Sequence, residues 1–343
     1  MRPEELFQAI DELCKLRDIK NKDSLYQAIQ SGLQLAFRKS SGSDSVEVYI
    51  DEKKKEFKII ERRKVVARVT SIHREISLKE ALRVNPSLAI GDTLETIKSP
   101  SDLDRIAADT FKQVVMQKLR DAEIDTIYED FKAREHEMIL GEVSKITYRN
   151  VFVNLGRIEG ILPEEEQIRN ERYRNGEKIH CYILNVMRNQ RDPHIRLSRS
   201  HPHLVAKLMN IEIPELQQKL IEIKNVVREP GIRSKVSVFS KETKIDPVGT
   251  CIGTKGTRIN AVGQYLNGEK IDVIRWNEDI KVYIAHSLSP AKVLPECVEL
   301  DLENKHAKVF VDQEYFSLAI GKEGLNVKLA ARLTGFKMDV AVR

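Results

Sequence analysis

The chain has 343 residues, 41% of them hydrophobic and 32% charged, which is the balance of a folded protein long enough for two or more domains with separate cores. The formal net charge is only +5, and residues 1–135 hold 25 basic and 25 acidic side chains, so the small excess lies after residue 135, which argues against a broad polybasic surface. No apolar run could cross a bilayer, no export signal is visible, and the four cysteines form no CxxC pair, which favours a cytoplasmic protein without a disulfide framework or zinc knuckle.

The first 135 residues predict an α+β domain. Apolar residues at helical spacing predict helices over residues 3–38, and a polar Gly/Ser stretch at residues 40–45 ends them. Alternating apolar residues on both sides of residues 51–56 predict a β-hairpin with a lysine-rich tip, and residues 65–69 are a candidate third strand. Residues 101–135 indicate one long amphipathic helix or a broken pair of helices.

The pattern changes at Met138, where short strands separated by turn residues follow one another. Five predicted strands in about sixty residues, with glycines near their bends, are typical of a small closed OB-type barrel, which we place at residues 136–200. The segments GEVSKITYRNVFVNLGRIEGILPEEE and HIRLS resemble the opening and the last strand of the S1 RNA-binding domain.

The segment after residue 200 contains one structural plan twice. In each copy a helix precedes two strands, two helices joined by a GxxG turn and a final strand, and we place the copies at residues 201–278 and 279–343. Aligning VGTCIGTKGTRINAVGQYLNGEKIDV with FSLAIGKEGLNVKLAARLTGFKMDV puts Gly253 on Gly321 and Gly256 on Gly324. Because the apolar neighbours align as well, this repeat is more than the chance recurrence of a short motif.

The repeated unit resembles the type II KH domain, in which two extra elements precede a β-α-α-β core. In that family the GxxG loop clamps the backbone of about four unstacked nucleotides. Because glycine has no Cβ, we expect a phosphate to approach N–H groups at the start of the next helix, whose dipole favours an anion. The RNA-binding candidates are Gly253, Thr254, Lys255, Gly256 and Arg258 in the first copy and Gly321, Lys322, Glu323, Gly324 and Lys328 in the second.

The two loops differ in charge. Lys255 and Arg258 supply the neutralising charge in the first loop, whereas Glu323 takes the place of Lys255 in the second and leaves Lys322 and Lys328 as its cations. A carboxylate beside a phosphate repels it, so we expect weaker RNA binding by the second copy. For either loop, a purely structural hairpin of two helices is the alternative.

The S1 resemblance implies RNA contacts by aromatic and basic side chains on neighbouring strands, because base stacking tolerates any sequence. Pro163 stands where many S1 domains carry a histidine, so one usual contact is missing. Core packing of Phe152 within the apolar segment NVFVNLG is as good an interpretation as RNA contact. The candidates are Tyr148, Phe152, Arg188 and Arg196, with His180 and Tyr182 as further ones.

The order of the modules is more informative than any one of them. An α+β front domain, an S1 barrel and two KH units resemble the NusA family of bacterial transcription factors, and the strings EIKNVVREPGIRSKVSVFS and IDPVGTCIG are close to its characteristic ones. The resemblance implies that residues 1–135 bind core RNA polymerase and that the other domains receive emerging single-stranded RNA. It further implies a factor that modulates pausing, intrinsic termination and antitermination with other Nus factors. Some members add acidic C-terminal repeats that restrain RNA binding, and we expect no such autoinhibition here.

Two other function classes fit less well. The sequence has no GK[ST] P-loop, HExxH or GxSxG, so we predict neither catalysis nor a cofactor or metal. The remaining alternative is a ribosome-associated or RNA-chaperone protein that uses the same modules without polymerase. The junctions at residues 198–202 and 277–279 are too short for free tethers, so we expect the three RNA modules to form one stiff, monomeric platform.

Overall fold

The structure, a computed structural model, describes residue 12 and residues 22–41, 45–51, 56–98, 105–189 and 192–343. The chain divides into two compact units, residues 1–130 and 131–343. The helix expected before residue 22 lies outside the described residues except at residue 12, and the lysine-rich hairpin tip at residues 52–55 also lies outside them. Across those described ranges, every helix is too short or too polar to cross a membrane.

The first unit packs helices on one face of a four-stranded sheet. Strand β2 is central: it pairs antiparallel with β1 and β4 and parallel with β3. Ile29 and Leu33 of the first helix and Leu119 of the last pack on Val46 and Val48 of the sheet. The elements are α1 (Lys22–Ser41), β1 (Val46–Asp51), β2 (Glu56–Val66), β3 (Glu75–Ser77), α2 (Leu78–Val84), β4 (Thr93–Lys98) and α3 (Arg105–Lys132).

The expected hairpin is confirmed, whereas a separate third strand at residues 65–69 is wrong. Residues 65 and 66 instead belong to β2, which pairs with β3 from Lys64 to Val66 and, from Ile59 to Lys64, with β4, a strand that the sequence pattern did not reveal. The long helix expected at residues 101–135 is unbroken from Arg105 to Lys132.

The second unit begins with the expected closed barrel, in the order β5-β6-β7-β9-β8. Its glycines make room where strands crowd: a Cβ on Gly160 would lie 2.6 Å from Leu197 Cδ1. The strands are β5 (Met138–Ile146), β6 (Asn150–Asn154), β7 (Glu159–Pro163), β8 (Lys178–Met187) and β9 (His194–Ser198).

Two repeated domains, called KH units from here on, follow the barrel and share one sheet topology. In each, the first two strands are antiparallel and the last strand joins the middle one in parallel, with both loop helices between them. The first KH unit comprises α4 (Pro202–Glu212), α5 (Pro214–Gln217), β10 (Glu222–Glu229), β11 (Arg233–Phe239), α6 (Pro247–Ile252), α7 (Thr257–Gln264) and β12 (Lys270–Arg275). The second KH unit comprises α8 (Ile280–Ser287), β13 (Val298–Asp301), β14 (His306–Val311), α9 (Gln313–Ile320), α10 (Leu325–Thr334) and β15 (Lys337–Val342). The expected type II KH order is confirmed in both.

Buried contacts join the barrel to the first KH unit. Tyr182 and Ile168 of the barrel share a core with helix α4. The guanidinium of Arg228 is fully buried, pairs with Glu269 at 2.8 Å and donates to the carbonyl oxygens of Arg199, at 2.6 Å, and His201, at 3.1 Å. Hydrogen bonds from Arg228 to backbone carbonyl oxygens therefore fix the short connection between the barrel and the KH unit.

The two KH units also share a buried interface. Val227 and Ile274 on one face of the first sheet pack with Tyr283, Leu329 and Leu333 of the second unit. At the edge of this contact, Asn225 Nδ2 donates to the Leu333 carbonyl oxygen at 3.0 Å. Such packing holds both GxxG loops in one body.

Candidate nucleic-acid interface

The first glycine pair forms a tight connection between α6 and α7. Gly253 lies at φ 75° and ψ 171°, and Gly256 at φ 77° and ψ 14°, both unfavourable for a residue with a Cβ. Between them Lys255 is also left-handed, at φ 53°, and the side chains of Thr254 and Lys255 are exposed. The loop therefore presents backbone and two accessible side chains just before α7 begins.

The second glycine pair repeats this conformation within a few degrees. Gly321 lies at φ 74° and ψ 173°, Glu323 at φ 55° and Gly324 at φ 71°. Lys322 and Glu323 are exposed, as their counterparts are. Because the backbones match, the two loops differ in the chemistry of their side chains.

Each helix after a loop starts without a side-chain cap. Gly256 and Gly324 are the N-cap residues of α7 and α10, and glycine has no side-chain oxygen to accept the first N–H groups. These helices have 8 and 10 residues, so each has a complete first turn. An anion placed at either start would meet N–H groups and the positive end of the helix dipole.

Arg258 and Lys328, the cations that follow the second glycine of each loop, are placed differently. Arg258 Nη1 donates to the carbonyl oxygen of Thr250 and to Glu215 Oε2, both at 2.9 Å. Lys328 is exposed, and its Cε lies 3.8 Å from where a Cβ on Gly324 would stand. Arg258 is thus engaged in an ion pair, whereas Lys328 stays beside its loop.

On the barrel, Phe152 belongs to a row of outward-facing side chains. Its neighbours Val151 and Val153 are buried, whereas Phe152 is half-buried and lines a cleft of about 570 Å³. The register places Phe152 opposite Ile161 and Ile161 opposite Arg196, so the row crosses β6, β7 and β9. The ammonium of Lys145, opposite Phe152 on β5, lies 5.9 Å from its ring centroid.

The other barrel candidates differ in exposure and in ion pairing. Tyr148, in the turn between β5 and β6, is 93% exposed. Arg188 follows β8 directly and is exposed. Arg196 Nη2 is 2.8 Å from Glu165 Oε1 and 3.7 Å from Glu166 Oε1, so neighbouring carboxylates offset part of its charge.

Tyr182 and His180 lie at the junction with the first KH unit. Tyr182 is 2% exposed and its ring stacks on His201 at 4.4 Å, so it is not accessible to a base. His180 contacts the ring of Tyr265 edge-on at 5.0 Å, and burial, with the nearby Arg199 charge, lowers its pKa. The sequence pattern placed Tyr182 on a strand but gave no sign that a second domain covers it. Histidine, cysteine and carboxylate side chains do not gather into a metal-binding set anywhere in the part of the chain that the structure describes.

A closed five-stranded barrel and two repeated units with uncapped, glycine-flanked helix starts define a multidomain protein assembled from RNA-binding folds. Family models agree with this class. The S1 RNA binding domain matches residues 132–199, the NusA-like first KH domain residues 199–276 and the NusA-like second KH domain residues 280–342, while the NusA N-terminal domain matches residues 5–125.

Relatives extend the similarity over nearly the whole chain. The transcription termination/antitermination protein NusA of Halalkalibacterium halodurans is 40% identical over 337 residues, which cover 98% of this chain and 87% of that protein. NusA of Bacillus subtilis is also 40% identical over 337 residues, covering 98% of this chain and 90% of that protein, and NusA of Thermus thermophilus is 39% identical over 97% of this chain and 84% of that protein. The chain belongs to the NusA family of transcription termination/antitermination proteins.

Proposed function

We propose that this chain binds RNA polymerase and the single-stranded RNA that emerges from it, and so modulates pausing, intrinsic termination and antitermination. Family membership supports the transcriptional role, and the N-terminal match disfavours a ribosome-associated or RNA-chaperone protein that acts without polymerase. The observation that carries the RNA half is the pair of GxxG loops, equal in backbone and each placed before an uncapped helix.

In the proposed complex a phosphate lies against each helix start. The exposed Thr254 and Lys255 of the first loop and Lys322 of the second flank it, and the dipoles of α7 and α10 stabilise its charge. Glu323 stands where the first loop has Lys255, so the second loop binds more weakly. Each KH unit then holds about four nucleotides.

The barrel contributes base stacking to the proposed RNA binding. Phe152 and Tyr148 offer aromatic faces, while Arg188 and Arg196 supply positive charge on the same barrel. Because the barrel and both KH units share buried interfaces, the separate weak contacts act at high effective concentration on one strand. A strand of about ten nucleotides or more suits such a surface.

Residues 1–135 are the proposed docking domain for core RNA polymerase, and other Nus antitermination factors are expected partners in that complex. The protein acts as a monomer in the cytoplasm and has no catalytic role. The boundaries proposed for the remaining domains are residues 136–200, 201–278 and 279–343.

Binding of a labelled single-stranded oligoribonucleotide, measured by fluorescence anisotropy over a salt series, tests the RNA half. Changing Thr254 and Lys255 together to aspartate should weaken binding and flatten its salt dependence, because one cation is lost and two carboxylates are added. The same change at Lys322 and Glu323 should weaken it less. Unchanged affinity in the first variant would remove that loop from the site.

Retention of core RNA polymerase by the full chain tests the proposed binding to polymerase. The Thr254→Asp/Lys255→Asp variant is the matched control: it should retain polymerase as the native chain does while it binds RNA more weakly. Full RNA binding without retention of polymerase would instead support the alternative that acts without polymerase.

A further inference from the structure

The first glycine of each GxxG loop faces a part of its own chain. A Cβ on Gly253 would lie 2.8 Å from Arg258 Cγ, and one on Gly321 would lie 2.7 Å from Asn326 Cβ and 2.9 Å from Asn326 N. Both obstructing residues stand five positions after the glycine. In each copy, the space that the glycine leaves open is therefore filled from inside the protein.

The two obstructing side chains make equivalent hydrogen bonds. Arg258 Nη1 donates to the carbonyl oxygen of Thr250, and Asn326 Nδ2 donates to that of Leu318 at 3.1 Å. Thr250 and Leu318 align in the repeat, each lying in the helix that leads into the loop. The side chain that follows the loop is thus tied to the helix before it.

Both side chains also reach the accessory helices that precede each sheet. Arg258 pairs with Glu215 of α5 at 2.9 Å, and Asn326 Nδ2 donates to the carbonyl oxygen of Leu288, at the end of α8, at 3.0 Å. The first tie is a half-exposed ion pair, with 34% and 26% of the two side chains accessible. The second is a neutral amide, 1% exposed.

We propose that Arg258 and Asn326 are positioning residues that hold the GxxG loops in their RNA-binding shape, and that Glu215 holds Arg258 in place. This inference rests on the proposed RNA binding by the loops. Arg258 then acts through the loop backbone, and the phosphate is neutralised by Lys255 and the helix start. This replaces the expectation that Arg258 neutralises the phosphate directly.

Removing the Glu215 carboxylate distinguishes direct phosphate binding by Arg258 from a positioning role, because the two roles predict opposite changes in RNA affinity. If Arg258 binds phosphate directly, Glu215 competes for it, and Glu215→Ala tightens RNA binding. If Arg258 positions the loop, the same change loosens the loop and weakens binding, although a negative charge has been removed from an RNA-binding surface. Glu215→Gln keeps an oxygen that can accept from Arg258 and should restore near-native affinity.

The experiment measures oligoribonucleotide affinity over a salt series for the full chain. Glu215→Ala and Arg258→Ala should each weaken binding by roughly threefold, as expected for a half-exposed ion pair, with the salt slope unchanged. Lys255→Ala is the matched control for a phosphate contact, and it should lower the slope by about one. Tighter binding by Glu215→Ala, unchanged affinity in both variants, or a slope loss in Arg258→Ala equal to that of Lys255→Ala would overturn the proposal.

Amide hydrogen exchange of residues 254–257 in the free protein provides a measurement that needs no RNA. Exchange should be faster in Glu215→Ala and Arg258→Ala and native in Lys255→Ala and Glu215→Gln. Unchanged exchange in the two alanine variants would contradict the positioning role. If exchange changes as expected while the native chain binds no RNA, the positioning role stands and the proposed function fails.

Discussion

The two GxxG loops share one backbone but differ in how each is held and charged. The first is tied by the half-exposed Arg258–Glu215 pair and carries Lys255 at its left-handed position. The second is tied by the buried amide of Asn326 and carries Glu323 at the same position. The glycines thus preserve a conformation, while stability and affinity are set by neighbouring side chains that vary between the copies.

A methyl group on the first glycine should affect the two copies unequally, and this is the largest effect we expect. At Gly321 a Cβ would meet the backbone nitrogen of Asn326, which cannot move alone, whereas at Gly253 it would meet the side chain of Arg258. Both positions also have φ and ψ values that are essentially restricted to glycine. We expect Gly321→Ala to lower the free energy of unfolding by about 3–4 kcal/mol and Gly253→Ala by about 2 kcal/mol.

Chemical denaturation measures both losses, and Gly335→Ala is the control. Gly335 lies in the left-handed helical region, at φ 78° and ψ 10°, with nothing within 4 Å of the added Cβ, so Gly335→Ala reports the milder strain of that region without an obstruction, about 1 kcal/mol. Equal losses for Gly253→Ala and Gly321→Ala would contradict the prediction that a backbone obstruction costs more than a side-chain obstruction.

Sequence patterns found the loops because their signal is local. A glycine pair between two apolar helical segments, repeated with its neighbours, specifies positive φ at fixed positions, and the structure has positive φ at all four glycines. The barrel was predictable for a similar reason, since alternation with a period of two marks each strand.

The partners of these elements were not predictable, because they come from distant parts of the chain. Glu215 lies 43 residues before Arg258, in a four-residue helix with no strong pattern, so Arg258 was expected to be free for phosphate. Tyr182 fits an exposed aromatic position on a strand, but the first KH unit covers it. Local periodicity tells which face a side chain occupies and not what packs against that face.

Exchanging the charges at the left-handed positions should narrow the difference in RNA binding between the copies. Glu323→Lys should strengthen binding of a single-stranded oligoribonucleotide and steepen its salt dependence by about one unit, because a carboxylate is replaced by a cation beside the proposed phosphate. Lys255→Glu should do the reverse. Neither change should alter the fold, since both side chains are exposed and each residue type already occupies this conformation in the other copy. Anisotropy titrations at several salt concentrations measure the effect, and identical slopes for both variants would show that these side chains do not face the RNA.

The smallest expected effect concerns pH, and it also separates the copies, because only the first is joined to the barrel. At that junction burial lowers the pKa of His180, next to Arg199, and of His201, next to His203. A lowered pKa means that the folded state disfavours the protonated ring, so the stability is complete above the ordinary value of about 6.5 and is lost as the pH falls through the lower, folded value. Because both rings are only half-buried, the loss should stay below about 1 kcal/mol.

Thermal melts between about pH 7 and pH 5 measure this loss, against the ordinary histidine pKa. The double variant His180→Gln/His201→Asn removes both titrating rings, and asparagine keeps an acceptor for the N–H of His203, which His201 Nδ1 accepts at 3.3 Å at the start of α4. Its melting temperature should fall less on acidification than that of the native chain. An equal fall in both would place the acid sensitivity outside this junction. The two copies would then differ in the charge and the anchoring of their GxxG loops, and not in sensitivity to pH.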